Sequence, residues 1–278
     1  EWSVMDLARG MYTGYDYLNY IPANYFTDYK ARIDATVDSL DGELHTTKST
    51  EWSRLTLAMS ALGYDIRQMG SKGQYDFVDR LAQSHAFSYK QGINGPIWEL
   101  LALNTGHYTM PEKPSKYAIE ADINTAGKMI DYIMNLEITQ ANGVVGGWAL
   151  FGKKPDPDIT GMAIQGMAQY YTGEVPYPAD AKTSFTEFKK AIERAVYQLA
   201  AIQEPNGGYG SWGSINSEST VQVIVALTAL NMDPMSKAIS LPTINKVAKF
   251  NKSGDTRDGV YTDNMMDALY TFWAWGSG

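Results

Sequence analysis

Cysteine is missing from all 278 residues, which removes disulfide staples, thiolate nucleophiles and thiolate-bound zinc together. Histidine is scarce as well. His45, His85 and His107 stand apart, and no two have the spacing that would place them on one helix face as metal ligands, so no metal cofactor is expected. The longest apolar run, Val221 to Leu230, is broken by Gln222 and Thr228. It falls well short of the roughly 20 residues that cross a bilayer, and no membrane span is expected. Basic residues are few: 23 against 31 acidic ones, a formal charge of −8. None gather into the stripe that a phosphate backbone requires, so nucleic acid is not an expected partner. The chain opens at Glu1 without a methionine or an apolar leader. That reads as a mature protein or a domain excised from a larger exported one, and a cysteine-free composition is compatible with export.

What is present is regular punctuation. Asp41-Gly42, Asn94-Gly95, Asn142-Gly143, Asn206-Gly207 and Asp258-Gly259 recur at intervals of about 50 residues, the mark of a repeat architecture. Such pairs tolerate positive φ and form turns. Before each lies an amphipathic stretch at helical spacing, clearest in Phe26, Tyr29, Ile33, Val37, Leu40 and in Phe185, Phe188, Ile192, Val196, Leu199. Weaker versions are Phe77-Val78-Leu81, Ile123 to Ile133, and Ile244-Val247-Phe250. After each pair comes a more uniformly apolar helix: Trp52 to Leu62, Ile97 to Leu103, Thr160 to Tyr171, Thr220 to Leu230, and Asn264 to Trp275. Trp2 to Arg9 reads as a sixth of that kind. Helices apolar on most sides are buried on most sides. The pattern therefore predicts an all-α toroid formed by residues 1–278 as a single domain, with about six inner and five to six outer helices. An open solenoid is the structural alternative. Gly63, Gly106, Gly173 and Gly276 are placed to end inner helices in a left-handed cap.

Gln203-Glu-Pro-Asn-Gly-Gly-Tyr-Gly-Ser-Trp212 and Gln140-Ala-Asn-Gly-Val-Val-Gly-Gly-Trp148 resemble the glutamine-tryptophan repeats of the terpene cyclase and protein prenyltransferase superfamily. That resemblance implies the same toroid. The stretches Gly147 to Ala163 and Asn216 to Leu230 look like toroid domains of bacterial surface proteins, which are in turn similar to the helical domain of transcobalamin and intrinsic factor. The second resemblance implies a cell-surface or extracellular location and a corrinoid as the most specific ligand.

Asp156-Pro-Asp158-Ile-Thr160 resembles the DxDD acid motif of class II terpene cyclases, in which the middle aspartate protonates an alkene. Here Ile159 replaces the last aspartate, leaving the network that would tune Asp158 incomplete. The same register recurs as Asn216-Ser-Glu218-Ser-Thr220, so helix capping outweighs acid catalysis as the role of both segments. Prenyltransferase zinc chemistry and a complement-type thioester both need the missing cysteine. Asp255, Asp258 and Asp263 surround a turn but lack the calcium-loop spacing.

The aromatic residues Trp52, Trp98, Trp148, Trp212 and Tyr261, with Glu99, Gln165, Glu218 and Gln222, are the candidate lining of a ligand site at the toroid mouth. Core packing is the ordinary role for each aromatic among them. The expected function is a non-catalytic ligand-binding or adhesion domain of an exported bacterial surface protein. Its partners would be a small amphipathic molecule or glycan and the other domains of the same protein. A terpene-cyclase-like enzyme using Asp158 as general acid is the alternative, and a plugged structural spacer is a third.

Overall fold

The computed structural model describes residues 1–10, 21–82, 85–111, 123–252, 256–257 and 260–272, with the side chains at 85, 86, 256, 257, 260 and 261 outside the description. Helices take up 52% of the chain, against roughly one third in an average globular domain, so this is a mostly helical protein. Strands among the described residues form three two-stranded antiparallel sheets. The chain divides into two compact units, Glu1–Met129 and Ile130–Gly278.

The first unit holds α1 (Trp2–Gly10), α2 (Tyr25–Ser39), α3 (Thr50–Ala61), α4 (Phe77–Ala82), α5 (His85–Ser88), α6 (Asn94–Thr105) and the start of α7 (Ala126–Asn135). Helix α3 packs against both α1 and α6. Trp52, Leu55 and Met59 repeat at helical spacing along it and are buried, together with Phe77 and Leu81 of α4 and Ile97 and Leu100 of α6. Asn94-Gly95 does not make the expected turn, because it forms the first residues of α6. Pro96 follows it there, and proline fits a first helical turn, whose N–H groups have no intrahelical partner. Gly95 is required for space: a Cβ would stand 1.7 Å from the Ser88 carbonyl oxygen.

In the second unit, α7 is followed by α8 (Pro157–Thr172), α9 (Phe185–Ala201) and α10 (Ser217–Ala229), with the short hairpin β1 (Tyr209–Ser211) and β2 (Ser214–Asn216) leading into α10. The face of α9 formed by Phe188, Ala191, Ile192, Ala195, Val196 and Leu199 is buried, as its spacing predicts. Helix α10 is less enclosed than its composition suggests, since Val221 and Val225 are 41% and 43% exposed.

The stretch expected to be a fifth outer helix around Ile244, Val247 and Phe250 is instead a hairpin of β3 (Ala238–Leu241) and β4 (Lys246–Lys249). Ile239, Leu241, Ala248 and Phe250 are buried while Val247 is exposed. Alternation therefore won over a three-residue spacing that coincided at two buried or half-buried positions. Asn245, at φ 53, makes the turn. The buried Glu193 of α9 fixes that turn by accepting hydrogen bonds from Thr243 Oγ1 at 2.6 Å and Ile244 N at 3.0 Å. Strands β5 (Thr256–Arg257) and β6 (Val260–Tyr261) precede α11 (Met265–Ala268), which continues as a 3-10 turn over Leu269–Phe272. The remainder of the helix expected through Trp275 lies outside the described residues, as do Asp258-Gly259 and Gly276.

Gly63 and Gly173 have the predicted left-handed φ of 81° after α3 and α8. At the end of α6 the left-handed residue is His107, φ 50, while Gly106 has φ −124. The glycine serves space there, because the Tyr108 ring would lie 2.4 Å from its Cβ.

Candidate functional site

Two successive segments of the second unit are built from the same hydrogen bonds. In the first, the buried Trp148 donates from its indole nitrogen to the Ile133 carbonyl of α7 at 2.7 Å, a second donor beside the Leu136 N–H at that helix's C-terminal end. Its backbone N–H donates to Thr160 Oγ1 at 2.9 Å, and that hydroxyl donates back to the Trp148 carbonyl. In the second, the Tyr209 hydroxyl donates to the Leu199 carbonyl of α9 at 3.0 Å, and the Tyr209 N–H donates to Thr220 Oγ1 at 3.0 Å. Asp156 caps α8 by accepting from the N–H groups of Asp158 and Ile159, both at 3.0 Å. Asn216 caps α10 by accepting from the Ser219 N–H at 2.7 Å. Asn264 repeats the cap at α11, accepting from Met266 N and Asp267 N.

This repetition brings two helix N-termini side by side. Asp158 lies near Ser219, a Cβ on Gly161 would meet Gln222 at 2.9 Å, and Gln165 Nε2 donates to the Gln222 carbonyl at 3.4 Å. The contacts advance in the same direction along both helices, from Asp158 with Ser219 to Gly161 with Gln222, so the two helices are parallel. The two entry loops are tied together by a hydrogen bond from Ser211 Oγ to Asp156 Oδ2.

The N-terminal ends of α8 and α10 thus bring together Asp156, Asp158 and Glu218, with Gln222 and Gln165 further along the two helices. Desolvation is the main cause that raises the Asp158 carboxyl above the ordinary aspartate value, and the neighbouring Asp156 and Glu218 charges add to it. The hydroxyls of Ser219 and Ser211 pull the other way. Asp158 Oδ1 is buried and makes no hydrogen bond. Glu218 is exposed, and bonds from its own backbone N–H and from Ser217 hold its carboxyl below the usual range. Ile159, the residue in place of a third aspartate, is buried at 5% exposure and offers nothing polar to Asp158.

Asp156 accepts three hydrogen bonds, two as the cap of α8 and one from Ser211. Asp156→Ala is expected to cost about 1–2 kcal/mol, and Asp156→Asn, which keeps an acceptor oxygen, distinctly less; urea unfolding of both variants measures the difference.

Of the other candidate residues, Trp212 stands at the tip of the β1–β2 hairpin, 82% exposed with φ 54. Trp148 is fully buried and acts as the helix-closing donor. Trp52, Trp98 and Glu99 belong to the first unit. Trp52 is fully buried beneath the Arg80 guanidinium, 4.6 Å from its ring, and edge-on to Phe87. Trp98 is half-buried, its ring 5.4 Å from that of Trp2. Glu99 is fully buried. Asn124 Nδ2 donates to its Oε2 at 2.7 Å, while Oε1 makes no hydrogen bond. Burial pushes this carboxyl up to about 8, against the pull of the Ser88 and Ser49 hydroxyls, the Asn124 amide and the Arg80 charge. The side chain of Tyr261 lies outside the described residues, as do Asp255 and Asp258, while Asp263 pairs with Lys237. No group of three or more His, Asp or Glu side chains able to hold a metal ion occurs among the described residues.

Sequence reasoning missed Thr160 and Thr220 as latches. Their signal was available as a threonine four positions after each cap. It also missed Phe151, Lys153 and Lys154, which line an open cleft with Gln140 and Asn142. No family model, no curated protein and no solved structure matches this chain.

Proposed function

We propose that the chain is a non-catalytic ligand-binding or adhesion domain of an exported bacterial surface protein, folded as an α/α toroid, with its ligand at the N-terminal mouth of α8 and α10. Trp212 carries this reading. A tryptophan 82% exposed on a short hairpin, held next to the Ser211–Asp156 bond, leaves a large flat apolar surface in water that a ligand face can cover. The polar side chains of α8 and α10, Gln165, Glu218 and Gln222, suit an amphipathic partner such as a corrinoid or a glycan. The toroid reading is supported by the parallel inner pair α8 and α10 with α9 between them in sequence, and by the repeated Trp148 and Tyr209 latches. Closure of the ring is part of the proposal.

Thermal melting against a panel of corrinoids, isoprenoids and glycans tests the reading, because a ligand selective for the folded state raises the transition by mass action. Trp212→Ala is expected to weaken the ligand found by about tenfold, roughly 1.4 kcal/mol, with unchanged melting of the free protein. An unshifted transition across the whole panel would overturn it.

A terpene-cyclase-like enzyme is the second reading, favoured by the raised, half-buried Asp158 with its unbonded Oδ1. It requires turnover of a squalene-like polyene that Asp158→Asn abolishes. Binding that survives this substitution, with no turnover by the unaltered protein, sets the enzyme aside.

A further inference from the structure

We propose that the open cleft between the Gln140–Asn142 turn and the Phe151–Lys154 loop is a second site, which binds an acidic oligosaccharide carrying a carboxylate on its sugar ring. The cleft lies within the second unit and has a volume of about 650 Å³, inside the roughly 300–1,000 Å³ range of small-ligand sites.

Its lining supplies each interaction such a ligand needs. Phe151 is 78% exposed, so an apolar ring is left in water where the C–H face of a sugar could lie on it. Lys153 and Lys154 are exposed, and no carboxylate among the described residues pairs with either. In a chain with a formal charge of −8, two adjacent unpaired ammonium groups at a cleft form a local positive field that selects anions.

The amides at the opposite rim are already oriented. Gln140 Nε2 donates to Gln198 Oε1 at 3.0 Å, which fixes the amide and leaves its oxygen to accept from a hydroxyl. Asn142 Oδ1 accepts from the Val144 N–H at 3.1 Å, which leaves its NH₂ to donate. One fixed acceptor, one fixed donor, an apolar platform and two monovalent cations match a hydroxyl-rich ring bearing a single negative charge. A neutral sugar leaves the lysines unused.

This site is independent of the α8–α10 mouth, since Trp212 is not in its lining. Isothermal titration of the full chain with an oligogalacturonate, with the matching neutral galacto-oligosaccharide and with a nucleoside triphosphate tests it. Binding of the oligogalacturonate alone is expected, weakening as salt is raised. It should weaken about tenfold in Phe151→Ala and at least as much in Lys153→Ala/Lys154→Ala. Melting is expected to be unchanged in both variants, and Trp212→Ala should bind as the parent does. Equal binding of the neutral sugar, preference for the nucleotide, retention of affinity in the double lysine variant, or no oligogalacturonate binding at all would overturn the assignment. Loss of binding in Trp212→Ala would move the ligand to the mouth and equally remove this site.

Discussion

Trp148→Ala is expected to destabilise the second unit by about 3–5 kcal/mol, the range for removing a buried large aromatic from a close-packed core. Trp148 has no exposed surface, so its removal leaves a cavity. It also removes the indole N–H from the Ile133 carbonyl at the end of α7, which keeps only the Leu136 N–H. Trp148→Phe separates the two contributions. It fills most of the volume, leaving a small void, and loses the hydrogen bond, for about 1–2 kcal/mol. Tyr209→Phe removes the equivalent donor from the Leu199 carbonyl and should cost a similar amount. Urea unfolding followed by far-ultraviolet circular dichroism measures all three. A Trp148→Ala variant as stable as the parent would mean that the latch does not hold α7 to the loop. Unequal losses in the two conservative variants would mean that the two segments are not energetic equivalents.

Glu99 should make the stability of the first unit depend on pH in the direction opposite to an ion-paired carboxylate. Its folded-state value lies near 8, raised from 4.5, chiefly by burial. Between those two values the folded state holds a proton that the unfolded chain has released. Stability is therefore full below the unfolded value and is lost as pH rises toward the folded one, at a limiting slope of about 1.4 kcal/mol per pH unit.

The geometry agrees with a bound proton. Oε1 makes no hydrogen bond, so the charged form is left uncompensated at that buried oxygen. Glu99→Gln keeps a neutral group of the same shape, accepting from Asn124 as Oε2 does. It is expected to flatten the fall between about pH 5 and 8 and to be more stable than the parent at the alkaline end. Chemical denaturation of both proteins across that range checks it. A parent whose stability rises over the interval, or a variant that keeps the fall, would sink the argument.

Much of the helical plan was legible because it is local. The spacing of Phe185, Phe188, Ile192, Val196 and Leu199 describes one face of α9 without reference to any other part of the chain. The turn pairs at 41–42, 142–143 and 206–207 place glycine at positive φ, and their sequences favour that conformation wherever they occur. Asn94-Gly95 failed as a turn because Pro96 and the close approach of Ser88 make it the start of α6. The second of those causes is a contact between segments. The β3–β4 hairpin was misread because Ile244, Val247 and Phe250 mimic helical spacing, whereas the buried set Ile239, Leu241, Ala248 and Phe250 alternates along two strands. The choice between them depends on Glu193 of α9, about fifty residues earlier in the chain.

The candidate lining was less legible still. Burial divides its aromatic residues by function: Trp52 and Trp148 are fully enclosed, while Trp212 is open to solvent. Nothing in the local sequence distinguishes a tryptophan that closes a helix from one left open to solvent. The sequence alone determined the periodic helices, their caps and the missing cysteine and histidine chemistry, since each depends on residue type and short-range spacing. Tertiary structure decided which tryptophan is exposed, that Glu99 is buried and its carboxyl thereby pushed up, and where Phe151, Lys153 and Lys154 form a cleft. Burial and long-range pairing are properties of packed segments, and no short window of residues contains them.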